Sequence, residues 1–126
     1  TFISSISVYE NFLNPNIEEN YSLAQIEDKH IEEITDKTYG PLKALCEKII
    51  QAYFSDRFLI IRPGLIVGPY DPTDRFTYWP ERIQEGGKIL VPGHPHQPVQ
   101  FIDVRDLAKW IISMIEKKAT GIYHVT

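Results

Sequence analysis

The sequence predicts an α/β domain built on a parallel sheet. Two apolar runs of strand length, Phe58-Leu59-Ile60-Ile61 and Ile122-Tyr123-His124-Val125, lack polar alternation, as expected of strands covered on both faces. Two amphipathic stretches with helical spacing accompany them, one before each run. The chain order is strand, helix, strand, excursion, helix, strand, which is the pattern of parallel strands joined by helical crossovers.

Taken in order, Thr1 to Ser5 reads as a short strand that runs into the serine turn Ser4-Ser5-Ile6-Ser7, with Val8 and Tyr9 just past it. Residues 10–37 lack sustained periodicity and contain Asn14-Pro15-Asn16, so a polar loop is expected, with a brief helical turn near Ile26 to Ile34. From Thr38 to Ser55, Leu42, Leu45, Cys46, Ile49 and Tyr53 recur at i, i+3, i+4, i+7 and i+11, which predicts a helix packed through that stripe. Pro41 is tolerated there because it lies in the first turn. Arg62-Pro63-Gly64 ends the strand at 58–61.

A second helix is expected over Phe76 to Gln84, stopped by Gly86-Gly87. Ile89-Leu90-Val91 and Val99-Gln100-Phe101-Ile102 read as short strands flanking the proline-rich turn Pro92 to Pro98. Asp103 caps the clearest helix, with Val104, Leu107, Ala108, Ile111 and Ile115 as its inner face and Asp106 as a first-turn acid. Thr120-Gly121 ends it before the last strand.

At 126 residues and 43% apolar, the chain makes one domain at most and is not disordered by composition. A domain of this size buries roughly two thirds of its unfolded surface. Its net charge of −4 and the scatter of its 13 basic residues provide no stripe for a phosphate backbone, so nucleic acid is not an expected partner. Cys46, the one cysteine, forms no internal disulfide, and no apolar run approaches membrane-crossing length. No membrane partner and a cytoplasmic location are therefore expected. The chain opens on the strand-like Thr1-Phe2-Ile3 without an initiator methionine, so a piece of something longer is expected.

Tyr39 and Lys43 stand one helical turn apart and share a face, which puts an ammonium beside a phenol. With a serine hydroxyl arriving from the turn at Ser4 to Ser7, that arrangement suits proton exchange with a substrate oxygen. His94 and His96 are not expected to bind metal, because prolines spoil strand geometry around them and no third ligand lies nearby. Phe76, Tyr78 and Trp79 read as core packing, with a substrate wall as the alternative.

Four segments in order, Phe2-Ile3-Ser4-Ser5-Ile6-Ser7-Val8-Tyr9, Tyr39-Gly40-Pro41-Leu42-Lys43, Arg62-Pro63-Gly64-Leu65-Ile66-Val67-Gly68-Pro69 and Phe101-Ile102-Asp103-Val104-Arg105-Asp106-Leu107-Ala108, resemble the extended short-chain dehydrogenase/reductase family. More narrowly, they resemble its NAD-dependent epimerase/dehydratase branch. The resemblance implies a partial Rossmann-like parallel sheet with flanking helices plus part of a small substrate-binding lobe, the first strands and glycine-rich turn being missing. Residues 1–67 would belong to the Rossmann-like domain, 68–102 to the substrate lobe, and 103–126 to the returning helix and strand.

The resemblance further implies that Ser5 orients the substrate and Tyr39 is the acid/base. Lys43 would hold the nicotinamide ribose and bias the phenol. Pro63, Gly64, Leu65 and Ile66 would lie against the nicotinamide, with Ser7, Arg75 and Gln100 toward the substrate. Two departures stand out. None of the seven glycines forms a phosphate-cradling Gly-x-x-Gly-x-x-Gly or Gly-x-Gly-x-x-Gly turn. The position where relatives acting on nucleotide sugars carry a diphosphate-gripping arginine reads Val99, beside Gln100, leaving Arg75 or Arg82 as substitutes.

The expected function is thus a fragment of an NAD(P)-dependent oxidoreductase or epimerase that transfers hydride at a carbonyl or hydroxyl carbon of a small molecule, a sugar or a simpler carbonyl compound. NAD or NADP is expected in the full-length parent, with no tight binding and no activity in this chain alone. The alternative is a non-catalytic remnant or an oligomerising interaction module. A homo-oligomer is expected in either case, because a first strand without its neighbour exposes unpaired main-chain groups.

Overall fold

In the computed structural model, which describes residues 1–28, 30–94 and 96–126, the strand β2 (Leu59–Pro63) is the axis of the fold. All five of its residues are buried. It pairs in parallel with β1 (Phe2–Ile3) on one side and β5 (Gly121–Val125) on the other, giving the order β1-β2-β5. Ile60 stands opposite Phe2 and Ile122, and Pro63 opposite Val125. A second parallel pair joins β3 (Leu65–Val67) to β4 (Phe101–Asp103). This mixed α/β arrangement of small parallel sheets and flanking helices is the partial Rossmann-like fold expected from the sequence.

The helices are α1 (Tyr39–Phe54), α2 (Tyr78–Gln84) and α3 (Val104–Glu116), and a 3₁₀ turn covers Ile6–Val8. Side chains on a strand alternate between faces, and β2 uses both. Leu59 and Ile61 pack with Leu107 of α3 and with Val125, while Arg62 points to Glu47 of α1. The two long helices therefore cover opposite faces of the sheet. A second cluster, Val8, Tyr9 and Ala44, seats α1 on the turn after β1. The Asp103 carboxylate caps α3 by accepting from the Arg105 N–H at 2.8 Å.

The structure corrects three expectations. The buried positions of α1 are Gly40, Ala44 and Glu47, whereas Cys46, Ile49 and Tyr53 of the apolar stripe face outward, Tyr53 being 80% exposed. A charged side chain displaces the stripe because its partner, Arg62, is buried beneath it. The inner face of α3 is Leu107, Trp110, Ile111 and Met114, and Ala108 and Ile115 are exposed. Ile89-Leu90-Val91 forms no strand, and Leu90 is 92% exposed, without the burial that a strand in a covered sheet would give it. Within 26–34 the expected turn is a single hydrogen-bonded one, the Ile31 N–H donating to the Asp28 carbonyl at 3.4 Å. Pro95, within the expected turn Pro92 to Pro98, lies outside the described residues, as does Lys29.

Candidate functional site

The site begins where β1 ends. The Ser4 N–H extends the β1–β2 ladder by donating to the Ile61 carbonyl at 2.7 Å. Ser5 keeps an extended backbone and caps the 3₁₀ turn. Its hydroxyl accepts from the Ser7 N–H at 3.0 Å and donates to Ser7 Oγ at 3.1 Å. Both bonds fix where the Ser5 oxygen lies.

Across from this turn, α1 is started by a threonine pair. Thr38 Oγ1 accepts from the Thr35 N–H at 2.8 Å and donates to the Glu33 carbonyl at 2.6 Å, while the Tyr39 N–H donates to the Thr35 carbonyl at 2.9 Å. Gly40 then presses against Ser7, where a Cβ would stand 2.1 Å from the Ser7 carbonyl oxygen. One turn on, Lys43 Nζ donates to the Ile3 carbonyl at 2.9 Å and lies 4.9 Å over the Phe2 ring.

These elements enclose a groove of about 620 Å³. It is lined by Ser5, Ser7, Tyr39 and Lys43 on one side and by Pro63, Gly64, Leu65, Ile66 and Arg75 on the other. Of the residues singled out in the sequence for cofactor or substrate, Gln100 and the alternative grip Arg82 lie elsewhere. Gln100 Nε2 donates to Thr126 Oγ1 at 3.3 Å, and the residue lines a neighbouring apolar cavity. The expected contact between Lys43 and the Tyr39 phenol is not a hydrogen bond among the described residues, because the ammonium is turned to Ile3. Ser4, which also lines the groove, carries a buried hydroxyl with no partner among the described residues.

The model of the NAD dependent epimerase/dehydratase family matches residues 1–125. The chain belongs to that family. Comparison with curated proteins and with solved structures yields no match.

Beneath the groove, this epimerase/dehydratase family member buries a polar network that the sequence reading did not single out. Arg62 Nε and Nη2 donate to the two Glu47 carboxylate oxygens at 3.0 and 2.6 Å, with both side chains at most 1% exposed. Its Nη1 donates to Tyr9 Oη at 2.7 Å and to the Glu19 carbonyl at 2.8 Å. The Tyr9 hydroxyl in turn bonds His124 Nε2, and the His124 N–H donates to Glu19 Oε1 at 3.1 Å. Burial works against the Arg62 charge, but the Glu47 carboxylate and the Tyr9 oxygen outweigh it and hold the guanidinium above its ordinary range. The signal for this network was a lone charge at the end of an all-apolar strand.

Two surface features of the family member are structural in their contacts. Asp103 is held well below the usual carboxylate range by the Arg105 side chain, at 2.9 and 2.6 Å, and by the Arg105 N–H. His94 Nδ1 accepts from the His96 N–H at 3.3 Å. Among the described residues no group of three or more His, Cys, Asp or Glu is placed to hold a metal ion, and no helix is long and apolar enough to cross a membrane.

Proposed function

We propose that this chain provides the reaction end of an NAD(P)-dependent oxidoreductase or epimerase acting at a carbonyl or hydroxyl carbon. The observation that carries the reading is the single groove that gathers Ser5, Tyr39 and Lys43 opposite Pro63 to Ile66. The groove suits a nicotinamide: its walls include the apolar Ile3, Ile6, Leu65 and Ile66, and the unpartnered Ser4 hydroxyl is a polar atom with a bond still to make. Bound nicotinamide would supply or accept the hydride.

The roles of the chain's own residues follow from their chemistry. Tyr39 exchanges a proton with the substrate oxygen, and Ser5, already fixed through Ser7, holds that oxygen. Lys43 has three N–H donors, of which one goes to Ile3, leaving two for ribose hydroxyls. Main-chain groups of Pro63 to Ile66 serve the carboxamide. The adenosine and pyrophosphate half requires a glycine-rich turn that none of the seven glycines forms. Calorimetry of this chain alone should therefore show no tight binding of NAD or NADP. A sub-micromolar constant would show that tight binding does not need a glycine-rich turn.

Turnover by the complete enzyme with Tyr39→Phe is the decisive test. The variant should lose roughly 10²- to 10⁴-fold in rate, the usual contribution of a positioned acid/base. Undiminished turnover removes Tyr39 from the role. We place the enzyme in the cytoplasm, where its one cysteine, the exposed Cys46, stays reduced.

A second reading rests on the outward face of α1. Ile49, Tyr53 and Phe54 are exposed there, and β1 has no strand on its outer side among the described residues. Such an edge and face favour self-association, as a homodimer or larger assembly. Light scattering that finds only monomer at high micromolar concentration argues against it.

A further inference from the structure

A second cavity, of about 500 Å³, adjoins the groove and shares Leu65 and Arg75 with it. Its walls are apolar: Phe76 and Phe101, whose ring centroids are 4.7 Å apart, with Trp79, Val91 and Val99. The polar His94, Gln97 and Gln100 also line it. Among the described residues no carboxylate lines it, and Arg75 is its one Lys or Arg. Arg75 Nε donates to Thr73 Oγ1 at 2.9 Å, and Thr73 is itself bonded to Asp71. The two terminal nitrogens of Arg75 have no partner among the described residues, so a directed fork stands at the junction of the two cavities.

Arg82 is not a second grip. Its Nη1 and Nη2 donate to the Gly86 and Lys88 carbonyls, each at 2.8 Å, which ties it to the turn after α2. A nucleoside diphosphate brings at least two negative charges, and this junction offers one bidentate cation.

We infer that the substrate is a small hydroxy or oxo acid with an apolar, ring-sized group, not a nucleoside diphosphate sugar. The ring occupies the Phe76–Trp79–Phe101 cavity, and Arg75 holds its single acidic group while the reacting carbon reaches Tyr39. This rests on the oxidoreductase reading of the groove and adds the substrate class.

Trp79 reports on the cavity. Of the two tryptophans, Trp110 packs against Tyr123 and does not line this cavity, so Trp110→Phe leaves Trp79 as the only tryptophan, read by excitation selective for indole. Titration with 3-phenylpropionate should give a saturable change in Trp79 emission in the low millimolar range. Arg75→Gln should raise the half-saturation about tenfold, and so should Val99→Asp, a change at a side chain 79% exposed that leaves folding intact. Uridine diphosphate glucose should give no saturable change over the same range. Should Trp110→Phe fail to fold by circular dichroism, equilibrium dialysis of labelled 3-phenylpropionate against the unaltered chain gives the same constants.

No saturable binding of 3-phenylpropionate, indifference to both substitutions, or equal or tighter binding of the nucleotide sugar overturns the inference. Failure here is distinct from failure of the proton-transfer assignment, which is read by turnover.

Discussion

Gly40 and Ser7 meet so closely that any side chain at position 40 would overlap the Ser7 carbonyl, a Cβ standing 2.1 Å from its oxygen. This contact brings the first turn of α1, with Tyr39, up to the serine turn after β1. Glycine inside a helix costs roughly 1 kcal/mol relative to alanine, so its presence one residue into α1 is explained by approach and not by helix propensity.

Gly40→Ala should therefore destabilise the fold despite alanine's better helix propensity, by about 1–3 kcal/mol, the range for overpacked sites. Urea denaturation measures it. A variant as stable as the parent would mean that α1 and the serine turn can separate without cost.

Glu47→Gln should cost about 3–5 kcal/mol, because it leaves the Arg62 guanidinium buried beside a neutral amide. The double variant Glu47→Met/Arg62→Met should lose less than the sum of its two singles, since it removes both charges together. Additive losses in chemical denaturation would show that the two side chains do not act as a pair.

His124 sets an acid limit. Burial pushes its imidazole below the ordinary range, Glu19 opposing and Arg62 adding to the shift, and Nε2 is taken up by the Tyr9 hydroxyl. The unfolded chain takes up this proton near pH 6.5 while the folded chain resists it, so the unfolded state binds more protons in that window. Stability should be full above about pH 6.5 and should fall as the pH drops from there toward the lower folded value. Urea midpoints between about pH 7.5 and 5 should show the decline, and His124→Gln should flatten it over that window; an unchanged slope in the variant assigns the decline to another group.

Ser4→Ala separates stability from binding. The buried hydroxyl has no partner to lose, so the variant should be as stable as the parent or more so, by up to about 1 kcal/mol. A loss well beyond that in thermal unfolding would reveal a hydrogen bond to Ser4 Oγ that the fold needs.

Much of this architecture is legible in the sequence. The apolar run at 58–61 and the Asp103 cap locate β2 and α3, because burial on both faces and a carboxylate before a helical repeat each leave a local trace. Apart from Arg75, the residues that line the groove lie in three of the four segments, which keep their order along the chain. What is not legible is tertiary. The face that α1 buries is decided by Arg62 on a strand fifteen residues away, so the apolar stripe through Ile49 and Tyr53 misleads. Ile89–Val91 forms no strand and leaves Leu90 and Val91 exposed, an outcome that no three-residue run can announce. Gln100 shares the neighbourhood of the groove in sequence terms, yet its amide turns to Thr126.

Arg62 also fastens the long segment between the serine turn and α1. That segment has no helix among its described residues and is held at Glu19 from two sides, by the guanidinium on the main-chain oxygen and by the His124 amide on the carboxylate. Its order is thus borrowed from a charge inside the sheet. A protease would read the integrity of that charge as the difference between a closed strap and a loose one.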